Sequence, residues 1–293
     1  MEKTSWVCTI ITQLSLCCAL YVAVNLGQPQ KVVYRQRSEN TPLDIYFISV
    51  KGGFRPLEQQ KNLLKQMEKV AQTYKARFVI NSSELGDDDP LASNATRHFS
   101  LLKVPWHTTR TLKGHGVGCF QEKIKTPIGI TLDIIGVDTE LLQDSVPTSS
   151  LSSNKKSQLQ WLIKTLEAST SNWRIVVGYH PLVVCGENEE RMQAKQNFEY
   201  LHRVFRRFEV NVYLSGQDCT THNRSVAYIG NPGLAKKKLY SISQDRKSVF
   251  NGELVNGFLL HRVSSLQIVT YFITSDGEVA YRTVLQQKGR EVM

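Results

Sequence analysis

The chain lacks the signatures that most directly announce a chemistry. Its six cysteines form no CxxC pair, which argues against a zinc ribbon or a redox dithiol. No P-loop and no Gly-x-Ser-x-Gly elbow can be read. No glycine-rich fingerprint follows the first strand-like segment, which disfavours a Rossmann dinucleotide site. Arginine-rich runs interleaved with aromatics are missing too, so nucleic acid is not expected as a partner despite a net charge of +10. That charge favours acidic surroundings such as phosphate groups, anionic lipid or polyanions; the plain alternative is lysines that only solvate the surface.

Charge itself is absent from Thr4 to Gln30, whose apolar runs are Trp6-Val-Cys-Thr-Ile-Ile and Leu14-Ser-Leu-Cys-Cys-Ala-Leu-Tyr-Val-Ala-Val. A spanning helix needs roughly 20 residues. The stretch is long for the apolar part of a cleaved signal, and no small-x-small cleavage site follows it. Residues 1–30 are therefore expected to be an uncleaved signal anchor, with 31–43 a polar stem and 44–293 the folded domain. This implies a single-pass membrane protein of the secretory pathway (endoplasmic reticulum, Golgi or cell surface), or a secreted one if the segment is removed. Lys3 precedes the segment and Lys31, Arg35 and Arg37 follow it, so the positive-inside rule leaves the orientation open. Sequons at Asn81, Asn94 and Asn223 make a glycoprotein the expectation for a lumenal domain.

What is present is an ordinary globular composition, 41% hydrophobic and 21% charged over 293 residues, which excludes wholesale disorder. Asp44–Val50 reads as a compact strand, Leu57–Tyr74 as an amphipathic helix and Phe78–Ile80 as a second strand. Gly129–Val137 is another buried strand, and Leu159, Leu162, Ile163 and Leu166 mark a further helix. A strand–helix–strand unit follows. It opens with Trp173-Arg-Ile-Val-Val-Gly-Tyr-His-Pro181 and closes with Val210-Asn-Val-Tyr-Leu-Ser-Gly-Gln-Asp-Cys219. Between them Glu187–Phe208 carries a helical stripe (Met192, Phe198, Leu201, Val204, Phe205, Phe208) that reads as core. Ser225–Ile229 is a further strand, and 257–263, 266–273 and 279–284 are spaced as an antiparallel meander. The expected fold is α/β (α+β): two sheets packed face to face and flanked by helices.

Lone candidates are weak beside this pattern. Asp87-Asp-Asp89 reads as a solvated turn before Pro90, because adjacent aspartates point in different directions. His107 and His115 read as loop surface residues. The strand tips are richer, since open α/β sheets place ligands at the strands' carboxyl ends. They carry Tyr179, His180, Gln217, Asp218 and Cys219.

The order of segments and the tips at Gly178-Tyr-His-Pro181 and Gly216-Gln-Asp-Cys219 resemble the small purple acid phosphatases of the calcineurin-like metallophosphoesterases. So do Phe78-Val-Ile-Asn-Ser, Pro105-Trp106, Gly136-Val-Asp-Thr139, Gln160-Trp-Leu162 and Asn172-Trp-Arg-Ile-Val-Val-Gly178. The resemblance spans about Asp44 to Val284. It implies a metallophosphoesterase-like two-sheet β-sandwich with a dinuclear metal centre at the sheets' carboxyl edge, where two metals activate a hydroxide against a phosphate ester. The ligand motifs, however, are not kept. Lys51 stands in the first, where a ligand aspartate belongs; Glu84 can stand for the aspartate of the second, but its tyrosine is missing. Leu112 and Lys113 fall where Gly-Asn-His is expected. Tyr179 occupies the ligand-histidine position beside His180, and Gln217 and Cys219 replace both histidines of the fifth. The reading is a degenerate, inactive-looking member, a pseudoenzyme that acts by binding a partner protein or an anionic or phosphorylated ligand, with no cofactor expected. The competing reading is an acid phosphatase, a phosphoric monoester hydrolase, with a rebuilt or weak iron, zinc or manganese centre.

Three other uses of these residues are open. Cys219 beside His180 or His222 would make a thiolate–imidazole pair. Tyr179, His180, Asp218, Cys219 and His222, or Glu84 with them, offer donors for a single zinc. A Cys185–Cys219 disulfide would consume the thiol in an oxidising lumen.

Overall fold

A computed structural model describes residues 10–18, 44–99, 102–109, 119–126, 128–143, 152–183, 198–216, 221–223, 226–232 and 256–287. The chain divides into two compact units, Met1–Thr41 and Pro42–Met293. In the first, residues 10–18 are helical and exposed; the rest of the expected anchor and all of the stem lie outside the described residues. Among the described residues no helix is long and apolar enough to cross a membrane.

The second unit is built from two six-stranded sheets. One has the order β12-β11-β10-β1-β2-β3, where β1 is Ile45–Lys51, β2 Val79–Ser82, β3 Trp106–Thr109, β10 Gly257–Val263, β11 Gln267–Thr274 and β12 Val279–Gln286. The other has the order β4-β5-β6-β7-β9-β8, with β4 Phe120–Lys125, β5 Thr131–Gly136, β6 Trp173–Val177, β7 Val212–Ser215, β8 Thr221–Asn223 and β9 Val226–Gly230. β1, β2 and β3 run parallel, as do β5, β6, β7 and β9. The meander expected from the last three apolar runs is β10–β11–β12.

Alternation along the strands explains the layering. Ile45 and Phe47 of β1 point with Ile80, Ile175, Val177 and Leu214 into the core between the sheets, while Ile48 and Val50 point the other way. Those outward residues meet helix α1 (Leu57–Tyr74) through Leu63, Leu64 and Met67, and α2 (Pro90–His98) through Leu91 and Ala95. On the second sheet Ile135, Val176 and Tyr213 meet α3 (Ser152–Glu167) and α4 (Glu199–Arg207). Phe198, Leu201, Val204, Phe205 and Phe208 of the expected stripe pack in the core, as their spacing implied, and Met192 lies outside the described residues. Trp173, fully buried, ties the sheets by donating its indole N–H to the Ser264 carbonyl at 2.7 Å.

Several expectations need correction. β3, β4 and β8 were not read as strands, because they are short, half-buried or polar and carry no sustained alternation. His107 is not a loop surface residue: it lies on β3 and stacks on Phe120 at 5.1 Å between ring centroids. The helix before β7 is described only from Glu199, the segment 184–197 lying outside the described residues. Asp89 is no solvated turn residue. It is fully buried, and its carboxylate caps α2 through the Leu91 N–H at 2.9 Å, holds the Gly53 N–H at 2.7 Å and accepts from the Ser83 hydroxyl.

Candidate functional site

The carboxyl ends of β1, β2, β5, β6, β7 and β9 share one edge of the sandwich, so the loops that follow them meet there. The turn after β1 is fixed by glycine at two positions for two reasons. A Cβ on Gly52 would lie 2.4 Å from Asp89 Oδ2 and 2.5 Å from Asn81 Oδ1, and Gly53 has φ +103°, which side chains resist. Lys51 closes β1 half-buried, and its carbonyl accepts from Arg55 Nη2 at 2.5 Å. The second arginine bond, Nε to Asn256 Oδ1 at 3.1 Å, fastens the loop to the approach to β10.

The decisive contact crosses between the sheets. Tyr179, at the tip of β6, donates its hydroxyl to the carboxylate of Glu84, in the loop after β2. The resemblance puts the first in a ligand-histidine position and lets the second stand for a ligand aspartate. Where the resemblance implies donors converging on cations, the phenol and the carboxylate bond to one another. Burial and then the Glu84 bond both push the Tyr179 hydroxyl above its ordinary value, so it stays protonated and remains a donor.

His180 is also committed. Its backbone N–H donates to Thr139 Oγ1 at 3.0 Å, and that hydroxyl lies 2.9 Å from Nδ1, to which it can donate. The Tyr213 hydroxyl donates to the His180 carbonyl at 2.6 Å. Burial lowers the histidine below its ordinary value despite the pull of Glu140 and Glu84, which keeps the ring neutral. Asp138, just before Thr139, is fully buried, and its Oδ1 accepts from the Glu140 N–H at 3.0 Å. Burial raises it to about 6. The Cys119 thiol is pushed up to about 12, also by burial, which leaves it a poor nucleophile.

Beneath the edge runs a second, fully buried link. Ser49 Oγ donates to Asn231 Oδ1 at 2.6 Å and lies 2.8 Å from His261 Nε2; His261 Nδ1 lies 2.9 Å from Thr270 Oγ1. With the serine proton spent on Asn231, Nε2–H must donate to Ser49 and Nδ1 accept from Thr270. The histidine is thus a neutral donor, and Ser49 has no base to activate it as a nucleophile. Asn231 Nδ2 continues the link to the Ser215 carbonyl at 2.9 Å and Ser82 Oγ at 3.3 Å.

The sequence-predicted residues are therefore only partly assembled. Lys51, Glu84, Tyr179 and His180 share the edge, whereas Leu112, Lys113, Cys185, Gln217, Asp218 and Cys219 lie outside the described residues. The proposed thiolate pair, mixed zinc set and Cys185–Cys219 disulfide fall there with them. His222 and Asn223 belong to edge strand β8, paired with Ala227 and Val226. Asn94 is half-buried on α2. Asn81 is corrected as a glycan acceptor: it is fully buried on β2, with no space for a sugar. Thr139, Tyr213, Ser49, Asn231 and His261 were missed. Gly136-Val-Asp-Thr139 was noted only as a scaffold match, and nothing local marks the others.

Among the described residues no three His, Cys, Asp or Glu side chains group as metal ligands. The donors that are described do not fit the dinuclear centre that the resemblance implies, since Glu84 is bonded to Tyr179 and His180 Nδ1 faces Thr139.

No protein-family model matches the chain, and no curated protein matches it. Among solved structures the fold has clear likenesses. Two sheets flanked by helices in this order are the metallophosphoesterase-like fold. GAP50, the anchor in the inner membrane complex of Plasmodium, superposes with a TM-score of 0.68 at 18% identity, over 85% of this chain and 91% of its own. PhoD superposes with a TM-score of 0.55 at 13% identity, over 86% of this chain and 71% of its own. At these identities the likeness is one of fold.

Proposed function

We propose that the chain is a binding protein built on a phosphoesterase sandwich, degenerate at its catalytic edge and held at a membrane by its amino-terminal segment. The observation that carries this reading is the Tyr179–Glu84 bond, which turns the one surviving candidate ligand into a contact between the sheets. Rebuilding a two-metal centre would require breaking that bond and moving His180 off Thr139. Lys51 adds a positive charge where the resemblance implies a carboxylate. GAP50 supports the same direction, because it is the anchor in the inner membrane complex of Plasmodium. The partner is a protein or an anionic, phosphorylated ligand drawn by the net charge of +10. The charge-free Thr4–Gln30 stretch serves as the anchor, and Asn94 and Asn223 are the remaining glycan acceptors of a lumenal domain. Metal analysis with a chromogenic phosphate ester tests the reading. The expected result is no stoichiometric transition metal and no turnover above buffer. Two metals per chain with turnover would favour the competing reading, a phosphoric monoester hydrolase.

A further inference from the structure

A basic groove lies at the opposite end of the sandwich from the former catalytic edge. It runs between edge strands β3 and β4, encloses about 330 Å³ and is lined by Arg77, Phe78, His107, Lys123, Ile124 and Lys125, with Glu122 the one acidic side chain among the described residues of its walls. Arg77, Lys123 and Lys125 are exposed, while Ile124 and Phe78 are buried in its floor. Among the described residues β4 pairs only with β5.

The register shows what β4 leaves free. The Thr126 N–H donates to Ile130 O at 2.9 Å, and the β4–β5 pairs step from Lys125 opposite Thr131 to Phe120 opposite Gly136. Alternation along an antiparallel pair then turns the amides and carbonyls of Phe120, Glu122 and Ile124 toward β5. Those of Gln121, Lys123 and Lys125 face the open edge. The two lysines also share one face of the strand, and Ile124 lies on the other.

We propose that β4 accepts an extended acidic segment of a partner protein as an added strand. Carboxylates at alternate positions of that segment stand opposite Lys123 and Lys125, and the intervening apolar side chains cover Ile124 and Phe78 in the groove. Edge lysines ordinarily guard a sheet against pairing. Here they select rather than forbid: a second copy of β4 would bring lysine against lysine, whereas an acidic strand meets opposite charge. The proposal is independent of what the former catalytic edge does.

The test uses the full chain and a labelled peptide of about eight residues, alternating glutamate and valine. Its control is a block peptide of the same composition. Fluorescence anisotropy is expected to show the alternating peptide binding at least about tenfold more tightly. Hydrogen exchange at the Lys123 and Lys125 amides should slow when it binds. A Lys123→Glu/Lys125→Glu variant should lose that peptide and bind an alternating lysine–valine one instead. Equal affinity for the block peptide, or unchanged exchange at Lys123 and Lys125, would overturn the proposal, and neither result depends on how the variant folds. So would a folded variant that keeps the acidic peptide.

Discussion

Two polar links join the sheets near the same edge, and they differ in depth. The Thr270–His261–Ser49–Asn231–Ser82 link is buried throughout, with Ser49 and Asn231 fully excluded from solvent. The Tyr179–Glu84 link lies above it, its tyrosine nearly buried and its carboxylate exposed. Buried polar groups must find partners inside the protein, so the deep link is a structural necessity for this sequence. The upper link is not. Water could satisfy Glu84, and the bond's consequence is to tie the loop after β2 to the tip of β6. One link is therefore demanded by burial, and the other is not.

Substitutions can break that contrast. Asn231→Ala should have the largest effect, about 2–4 kcal/mol in denaturant unfolding, because it strands Ser49 and Ser82 and leaves a void. An effect under about 1 kcal/mol would show the deep link to be dispensable. Asp89→Ala should cost about 2 kcal/mol, losing a helix cap and the tie to Gly53.

The pH dependence sharpens the same comparison. Burial depresses His261 to about 3, so below about 6.5 the unfolded chain takes up a proton that the folded chain refuses. Its contribution is complete above that pH and is lost as pH falls toward 3, at up to about 1.4 kcal/mol per pH unit. Asp138, raised to about 6, acts oppositely: it favours the folded state at low pH and loses that contribution as pH rises from about 4 to 6. The two should nearly cancel in that window. Asp138→Asn is then expected to expose the histidine slope, and a flat unfolding profile in that variant would contradict the assignment. Tyr179→Phe should matter least, shifting stability by less than about 1 kcal/mol, since Glu84 regains water.

The sequence made the layers legible and left the links unread. Leu63, Leu64 and Met67, or Ile175 and Val177, declare their faces by periodicity alone, which is why the sandwich was expected. Ser49 and Asn231 are 182 residues apart, and Tyr179 and Glu84 are 95 apart. Nothing local pairs them, because such bonds exist only after two sheets pack. Motif comparison marked Glu84 as a stand-in for a ligand aspartate and Tyr179 as the occupant of a ligand-histidine position, yet it could not show that the two bond to each other. Asp89 was misread for a related reason: a loop aspartate reads as solvated until the helix it caps and the Gly53 turn close over it.

The most direct test of the account is a crystal structure of the protein grown with manganese and phosphate. The account predicts the Tyr179 hydroxyl still on the Glu84 carboxylate, His180 Nδ1 still facing Thr139, and no metal between the sheets' carboxyl ends. Two manganese ions at that edge, with Tyr179 swung away from Glu84, would contradict it.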